Sequence, residues 1–384
     1  MRQRNKKKKI VWQQSIGFLF MVLLGVICGI VIVSYIDRSV TASSPFLELL
    51  ILFIGMYAAL FFHLILHEGG HLIFGLLTGY QFGSFRVASF LWLKEDGKLR
   101  IKRLSIAGTG GQCLMIPPEI KDGKLPLVLY NLGGSLLNLL IGALFLLVYR
   151  LCPSGSVLSP LFLIFAVVGF TIAMMNGIPM RMGTVDNDGY NAFALSKNKE
   201  AVEAFWVQLK TVEQTAKGVR IKDMPAEWFA MPSDDAMKNS MVAVRGVLAC
   251  NRLMDEGNFE EADVCMRHLL EMESGMVGLH RNLLLCDRLF VELIGENRTE
   301  AIEAILTKEQ KKFMKAMKRN PSVLRTQYVL ALLFEQDIEK AGKIRREFEK
   351  TAKTYPYSHE IEAERALMEI AEKRQKTNGS EMVY

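Results

Sequence analysis

The sequence predicts an α-helical polytopic membrane protein with about four transmembrane helices and an interfacial β-hairpin, followed by a soluble, all-α, repeat-like domain. Four long apolar runs lie between positions 1 and 185, and the excess of positive charge lies in the same part. The remaining sequence consists of long amphipathic windows with few prolines. We therefore expect a basic tail (1–15), a membrane domain (16–195), a helical domain (196–375) and a flexible tail (376–384).

Charge divides the chain at about residue 185. The part up to this position contains 17 Lys and Arg against 7 Asp and Glu, a net charge of +10. The rest contains 30 against 33, a net charge of −3, so the overall +7 comes from the membrane part. Positive charge beside apolar spans indicates membrane topology, and no nucleic-acid partner is expected.

The first apolar run, 16–36, has the length of a helix that crosses a lipid bilayer. It follows the basic sequence RQRNKKKK, which places the N-terminus in the cytoplasm. A cleaved signal peptide is the alternative, since Val40 and Ala42 resemble a cleavage site, although the run is long for one. In both cases residue 45 is expected outside the cell.

Three further runs complete the predicted topology: 46–77, 125–151 and 158–178. The segment 80–124 contains eight basic residues, whereas the loops 37–45 and 151–159 contain almost none. Because basic residues concentrate in cytoplasmic loops, the second and fourth spans run inward and the third runs outward. The expected location is the cell membrane, with both termini and the helical domain in the cytoplasm.

The sequence from about 84 to 106 predicts a β-hairpin between the second and third spans. Asp96-Gly97 is a strong turn signal, and LRIKRLSI roughly alternates apolar and polar residues. Unpaired strand edges are not tolerated in lipid, so we expect the hairpin at the membrane interface or under the helices. The following GTGGQC, 108–113, is expected to be a flexible turn.

The second span contains the sequence HEGGH, which brings ionisable side chains to a depth where they are costly. Residues four apart share a helix face, so His67 and His71 can bind one metal ion. Glu68 lies beside them, where it can take a proton from water and pass it to a leaving amine. Hydrogen bonding of the three side chains to other helices is the purely structural alternative. His63, one turn earlier, is expected to be a polar neighbour and not a ligand.

A catalytic zinc ion usually has three protein ligands, so one ligand remains to be found. At the inner end of the fourth span, the sequence MMNGIPMRMGTVDNDGYNAF contains Asn176 and Pro179, which should end or break the helix. Asp188 follows at the predicted depth of HEGGH, and Asp186 is a competitor. A solvated turn that leaves the membrane is the alternative for both aspartates.

These motifs together resemble the site-2 protease family of intramembrane zinc metalloproteases. HEGGH on one membrane helix is followed by N-x-x-P and then D-G near a later one. The family also carries G-x-x-x-N on the intervening helix, which Gly134 and Asn138 supply here. The likeness covers residues 46 to about 195. Ser135 and Asn187 differ from the family's usual Pro and Leu, and the interval between N-x-x-P and D-G is longer than typical.

The resemblance implies a Zn²⁺-dependent endopeptidase that hydrolyses a peptide bond in or near a transmembrane segment of a membrane protein or peptide. Such cleavage serves regulated intramembrane proteolysis or peptide maturation. The family pattern implies His67, His71 and Asp188 as zinc ligands, with Glu68 as the catalytic general base and acid. It does not identify the substrate.

The resemblance also implies a way of holding a substrate. The β-hairpin would pair with a substrate segment held as a strand, because an unwound peptide needs partners for its backbone groups. A structural connector is the alternative. Asn138 and Asn176 are candidates for oxyanion or substrate support, since amide N–H groups donate hydrogen bonds. Helix packing would require the same residues.

The C-terminal half is expected to contain five to nine helices. LMDEGNFEEA, 253–262, resembles a tetratricopeptide helix pair with Gly257 at the turn, and LLFEQDIEKA, 332–341, echoes it without the glycine. The separation between positions 253 and 332 is not a multiple of 34, so any repeat array is irregular. The domain can bind a protein partner or only cap the membrane domain.

Two other functions fit the sequence less well. A catalytically inactive membrane scaffold could recruit partners through the helical domain. A transporter could use the buried polar groups as an ion path, but four spans without an internal repeat offer little basis for alternating access.

Overall fold

The structure, a computed structural model, is mostly helical and contains a small antiparallel sheet. It describes seven positions between 22 and 34 and the ranges 45–95, 98–106, 109–153, 158–181, 186–196 and 198–381. The chain divides into two compact units. The first unit comprises residues 1–87, 110–119 and 124–197, and the second comprises 88–109, 120–123 and 198–384.

Three helices of the first unit are long and apolar enough to cross a membrane: α1 (Pro45–Leu77), α2 (Leu127–Leu151) and α3 (Ser159–Gly177). They correspond to the predicted spans 46–77, 125–151 and 158–178. The first predicted span, 16–36, lies mostly outside the described residues, as does the basic tail. A short helix, α4 (Asp188–Ser196), follows α3 along the chain.

Glycines let α1 and α2 approach closely beside HEGGH. A Cβ atom on Gly70 would lie 2.3 Å from the carbonyl oxygen of Gly133, and one on Gly133 would lie 2.6 Å from that of Gly70. Small residues permit this contact between apolar helices, where dispersion forces depend on close approach. Gly69, the other glycine of the motif, has no atom within 4 Å of its Cβ position. Packing therefore requires a glycine at position 70 but not at position 69.

The four strands are β1 (Gln81–Val87), β2 (Phe90–Glu95), β3 (Lys98–Arg103) and β4 (Gly111–Ile116). β2 and β3 pair antiparallel with Glu95 opposite Lys98, which confirms the predicted hairpin, although its Asp96-Gly97 turn lies outside the described residues. β1 pairs antiparallel with β4 in the first unit.

One prediction for this region was wrong. The second half of GTGGQC is not a turn, because Gly111, Gln112 and Cys113 belong to β4. The glycine is required there by packing, since a Cβ on Gly111 would lie 2.3 Å from Oε1 of Glu68. A glycine selected for close approach has the same appearance in a sequence as a glycine selected for a turn.

The second unit contains nine α-helices among its described residues. They are α5 (Lys199–Ala216), α6 (Ser240–Glu256), α7 (Phe259–Glu271), α8 (Gly278–Ile294), α9 (Thr299–Ile305), α10 (Lys308–Ala316), α11 (Pro321–Val329), α12 (Ile338–Ala352) and α13 (Ser358–Glu381). The last helix extends to Glu381, past position 376, where the flexible tail was expected to begin.

Both predicted helix pairs are present in this unit. Gly257 ends α6 with a φ of 82°, a conformation that glycine adopts without steric cost, and α7 starts at Phe259. At the second pair, Gln336 takes the left-handed conformation with a φ of 54°, and α12 starts two residues later. The second turn therefore keeps the shape of the first without its glycine.

A buried cation joins three helices of the second unit. The side chain of Arg325, on α11, is 1% exposed and binds both Asp287 on α8 and Glu364 on α13. The distance from Nε to Oε2 of Glu364 is 2.8 Å. The guanidinium also lies over the ring of Phe290, 4.5 Å from its centroid. Arg325 thus supplies the positive charge that pairs with two largely buried carboxylates.

Substituting the two glycines of HEGGH should give different results. Gly70→Ala should lower the thermal unfolding midpoint of the purified full chain, because overpacking typically costs about 1–3 kcal/mol. Gly69→Ala, the matched control, should leave it unchanged or raise it, because alanine is the better helix former and has room there. Equal midpoints for the two variants would contradict the packing described for α1 and α2.

Replacing Arg325 with Met should strongly destabilise the second unit. Removing one partner of a buried ion pair costs about 3–5 kcal/mol, since the other charges stay buried. Arg298, with a side chain that is 59% exposed beside Glu292, is the control, and Arg298→Met should change stability little. Denaturant unfolding of the full chain measures both effects. A smaller loss for Arg325→Met than for Arg298→Met would contradict this role.

The loss in Arg325→Met should also grow with pH. Burial raises the pKa of Asp287 and of Glu364, and Arg325 opposes the rise. A carboxyl whose pKa is raised by folding stabilises the fold at low pH, and the advantage disappears as pH rises through the raised pKa. Without Arg325 folding raises the pKa of these two carboxyl groups further. The stability lost in Arg325→Met should therefore be greater at about pH 8 than at about pH 5. A deficit independent of pH would exclude this cause.

Candidate metal centre

Helix α1 presents three ionisable side chains in its last third. His67, Glu68 and His71 are all less than 8% exposed. The one-turn spacing of the histidines puts their rings on one face, with centroids 4.8 Å apart and Nε2 atoms 3.2 Å apart. The two Nε2 atoms therefore point into the same small space.

Asp188, the first residue of α4, completes this group. Its Oδ2 lies 2.9 Å from Nε2 of His67 and 3.4 Å from Nε2 of His71. Asp186, the competitor in sequence, lies elsewhere, and its Oδ1 accepts a hydrogen bond from Nε of Arg181 at 3.3 Å. The structure thus brings Asp188, and not Asp186, to the histidines.

His67, His71 and Asp188 could hold a metal ion. Their donor atoms all lie within 4.8 Å of one another. Ligands about 2.0–2.1 Å from a tetrahedral zinc ion are separated by about 3.3 Å, close to the distances between these three atoms. Two imidazoles and one carboxylate are also a donor set of catalytic zinc sites, which keep a fourth position open.

The ionisation of Asp188 suits a ligand. Burial alone would raise the pKa of its carboxyl, but the adjacent His71 and the hydrogen bond from His67 outweigh burial. The pKa of Asp188 therefore lies well below its usual range. A carboxylate must be deprotonated to bind a metal ion, and the direction of this shift favours that form.

The far nitrogen of His71 is held by α2. Nδ1 of His71 donates to the carbonyl oxygen of Tyr130 at 2.8 Å, so Nε2 is the ring nitrogen that faces His67 and Asp188. Such a bond to the ring nitrogen opposite the metal fixes the tautomer and the ring orientation. The Tyr130 hydroxyl in turn donates to the carbonyl oxygen of Cys113 at 2.7 Å. Tyr130 thus ties α2 to both His71 and β4, a role that the sequence did not reveal.

Asn138 stands between His67 and His63 and is completely buried. Its Nδ2 lies 3.3 Å from Nδ1 of His67, and its Oδ1 accepts from Nδ1 of His63 at 2.9 Å. Exchange of the two amide ends would let Oδ1 accept from a protonated Nδ1 of His67, the form in which Nε2 binds metal. His63 therefore contacts the site through Asn138, as a polar neighbour.

Gly134 makes room for this arrangement. A Cβ there would lie 2.6 Å from the His67 ring, so only glycine lets α2 approach at this level. Asn138 follows one turn later on the same face. The G-x-x-x-N element thus acts directly on a histidine of the candidate centre.

Glu68 is enclosed by β-structure. The backbone of Gly111, the first residue of β4, lies against its carboxylate. The carbonyl oxygen of Gly111 accepts a hydrogen bond from Nη2 of Arg86, a completely buried residue of β1, at 3.0 Å. Arg86 was not singled out in the sequence, where it appears as one of eight basic residues in the loop.

Asn176 differs from Asn138 in its contacts. Its Nδ2 donates to the carbonyl oxygen of Ile172, one turn earlier in α3, at 3.1 Å. The structure therefore brings together His67, Glu68, His71, Asn138 and Asp188, and shows Asn176 bound to its own helix.

Asn187 is a further residue of this region that sequence reasoning noted only as a departure from a pattern. Its side chain makes hydrogen bonds to the ends of both α3 and α4. Asparagine is a preferred residue just before a helix, and this preference was the one available signal.

Comparisons of the chain with protein-family models, with curated proteins and with solved structures found no match. Its function must therefore be inferred from the geometry of the site and from the motifs.

Proposed function

We propose that this protein is a zinc-dependent intramembrane endopeptidase. The observation that carries the proposal is the convergence of His67, His71 and Asp188 within 4.8 Å, with Glu68 beside them on a helix apolar enough to span a membrane. Ionisable residues in a membrane helix are retained for function, and this set is suited to hydrolysis. The enzyme would lie in the cell membrane, with its C-terminal unit in the cytoplasm.

Each side chain has a role in this reaction. His67, His71 and Asp188 would hold the metal, which supplies Lewis acidity and makes water more acidic when bound. Glu68 would take a proton from the water that attacks the scissile carbonyl carbon. It would then deliver that proton to the amine nitrogen as the C–N bond breaks. Tyr130 and Asn138 would orient the two imidazoles.

The strands supply a place for the substrate. β4 lies at the edge of the sheet, and its first residue, Gly111, lies against Glu68. A peptide added along a sheet edge satisfies its backbone groups through strand hydrogen bonds. A transmembrane segment must unwind before cleavage, so such an edge would hold the extended peptide beside Glu68. The substrate class is therefore a membrane-embedded protein or peptide.

Glu68→Gln should retain the metal and lose cleavage. Glutamine keeps the size of the side chain but cannot accept the proton, and loss of a general base typically lowers rate by about 10²–10⁴-fold. Uncut substrate should accumulate in membranes of cells that carry Glu68→Gln, as measured by comparative membrane proteomics. Glu119→Gln, an exposed site in the same unit, is the control and should give the parental pattern. Full activity of Glu68→Gln would refute the mechanism.

Metal removal should abolish cleavage reversibly. The full chain purified in detergent should bind about one zinc ion per molecule, because the three ligands form one site. A chelator should stop cleavage and added zinc should restore it, whereas His67→Ala should bind no zinc. His268→Ala, an exposed histidine beside Asp234, is the control for histidine loss. A metal-free His67→Ala protein with unaltered cellular function would favour the inactive scaffold.

A further inference from the structure

We propose that Asn187 is a positioning residue that holds Asp188 at the metal centre by joining the end of α3 to the start of α4. The inference rests on the proposed function only in requiring a metal at His67, His71 and Asp188. It assigns a role to a residue that makes no described contact with either histidine.

The first half of this junction is the end of α3. The helix ends at Gly177, and Ile178 is extended with a ψ of 124°, so carbonyl groups of the last turn lose their helical partners. Nδ2 of Asn187 donates to the carbonyl oxygen of Met175 in this last turn, at 2.8 Å, and to that of Ile178 just after it, at 2.6 Å. One amide nitrogen thus satisfies two acceptors of the broken helix.

The second half is the start of α4. Oδ1 of Asn187 accepts from the backbone N–H of Tyr190 at 2.9 Å, the bond of an N-capping residue. The same oxygen accepts from the backbone N–H of Met180 at 2.9 Å. The backbone N–H of Asn187 also donates to the carbonyl oxygen of Met180, at 3.3 Å. The side-chain amide therefore uses two donors and two acceptor positions, its full capacity.

Gly189 lets the backbone on the C-terminal side of Asp188 pack closely against the end of α3. A Cβ on Gly189 would lie 2.2 Å from the carbonyl oxygen of Gly177, so the backbone of α4 rests directly on the end of α3. Asp188 lies between this contact and the Asn187 side chain. Its backbone is consequently fixed on both sides, and Oδ2 is directed to within 2.9 Å of His67.

This arrangement explains how a long interval after Pro179 can still deliver the third ligand. The hydrogen bonds of Asn187 connect Asp188 to residues 175–180 directly, so the end of α3 sets the position of Asp188. The short amide side chain of Asn187 both donates to two carbonyl groups and accepts from two N–H groups here. Leucine can do neither, and aspartate can only accept.

The test compares the zinc affinity of three variants of the full chain in detergent. Asn187→Leu removes all four side-chain bonds, and Asn187→Asp keeps the size of the side chain while removing both donors. Asn198, which caps α5 by accepting from the N–H of Ala201, provides the matched control Asn198→Leu. Zinc affinity is measured by competition with a chromophoric chelator, and ligand geometry by the absorption spectrum of bound Co²⁺.

We expect both Asn187 variants to bind zinc about 10–100-fold more weakly than the parent, the usual effect of losing a residue that orients a ligand. Their Co²⁺ spectra should change at saturating metal. Asn198→Leu should keep the parental affinity and spectrum even though it also loses a helix cap. Asn187→Asp is isosteric and serves if Asn187→Leu fails to fold.

Parental zinc affinity in Asn187→Asp, or an equal loss of affinity in Asn198→Leu, would overturn the inference. The readout is independent of cleavage. Weaker zinc binding in the Asn187 variants of a protein that cuts nothing would support the inference and reject the proposed function. Unchanged zinc affinity of the Asn187 variants in a protein that cleaves its substrate would reject the inference and support the proposed function.

Discussion

The contact of two histidine nitrogens with one carboxylate oxygen is the interaction on which the first unit depends. Ionisable groups in an apolar helix must find polar partners nearby, because lipid and apolar side chains offer none. This requirement brings the start of α4 to α1, where Asp188 lies 2.9 Å from His67. It also draws α2 close enough for Tyr130 and Asn138 to reach the far nitrogens of the same rings. Glycines at the contacts remove the steric obstacle.

Local properties of the sequence predicted much of this arrangement. Span lengths follow from apolar runs, the face shared by His67 and His71 follows from helical periodicity, and the turn at Gly257 follows from a single residue preference. Contacts between distant segments were not predictable in the same way. The pairing of β1 with β4 joins strands that are separated in sequence by the whole β2–β3 hairpin, and nothing in either strand indicates its partner. The place of Asn187 just before a helix could be seen in the sequence. Its four side-chain hydrogen bonds could not be predicted, because they depend on where α3 ends.

The second unit obeys a different constraint. Its helices are amphipathic and its charges nearly balance, so most ionised groups can remain at the surface. Arg325 is the exception, since three helices bury it together with two carboxylates. A different arrangement of these helices would leave a buried charge unpaired, which is costly. The irregular spacing of the two helix pairs is compatible with helices that meet at a single charged contact such as Arg325.

The glycine contacts change how the motif itself should be searched for. In H-E-x-x-H the two middle positions are usually treated as interchangeable, but here Gly69 is unconstrained and Gly70 meets Gly133 of the next helix. The following Gly134 meets His67, and Asn138 contacts the same ring. H-E-x-G-H and G-G-x-x-x-N are therefore two halves of one spatial pattern, carried by two different helices of the chain. A search for both halves on two apolar segments is therefore more specific than a search for either half alone.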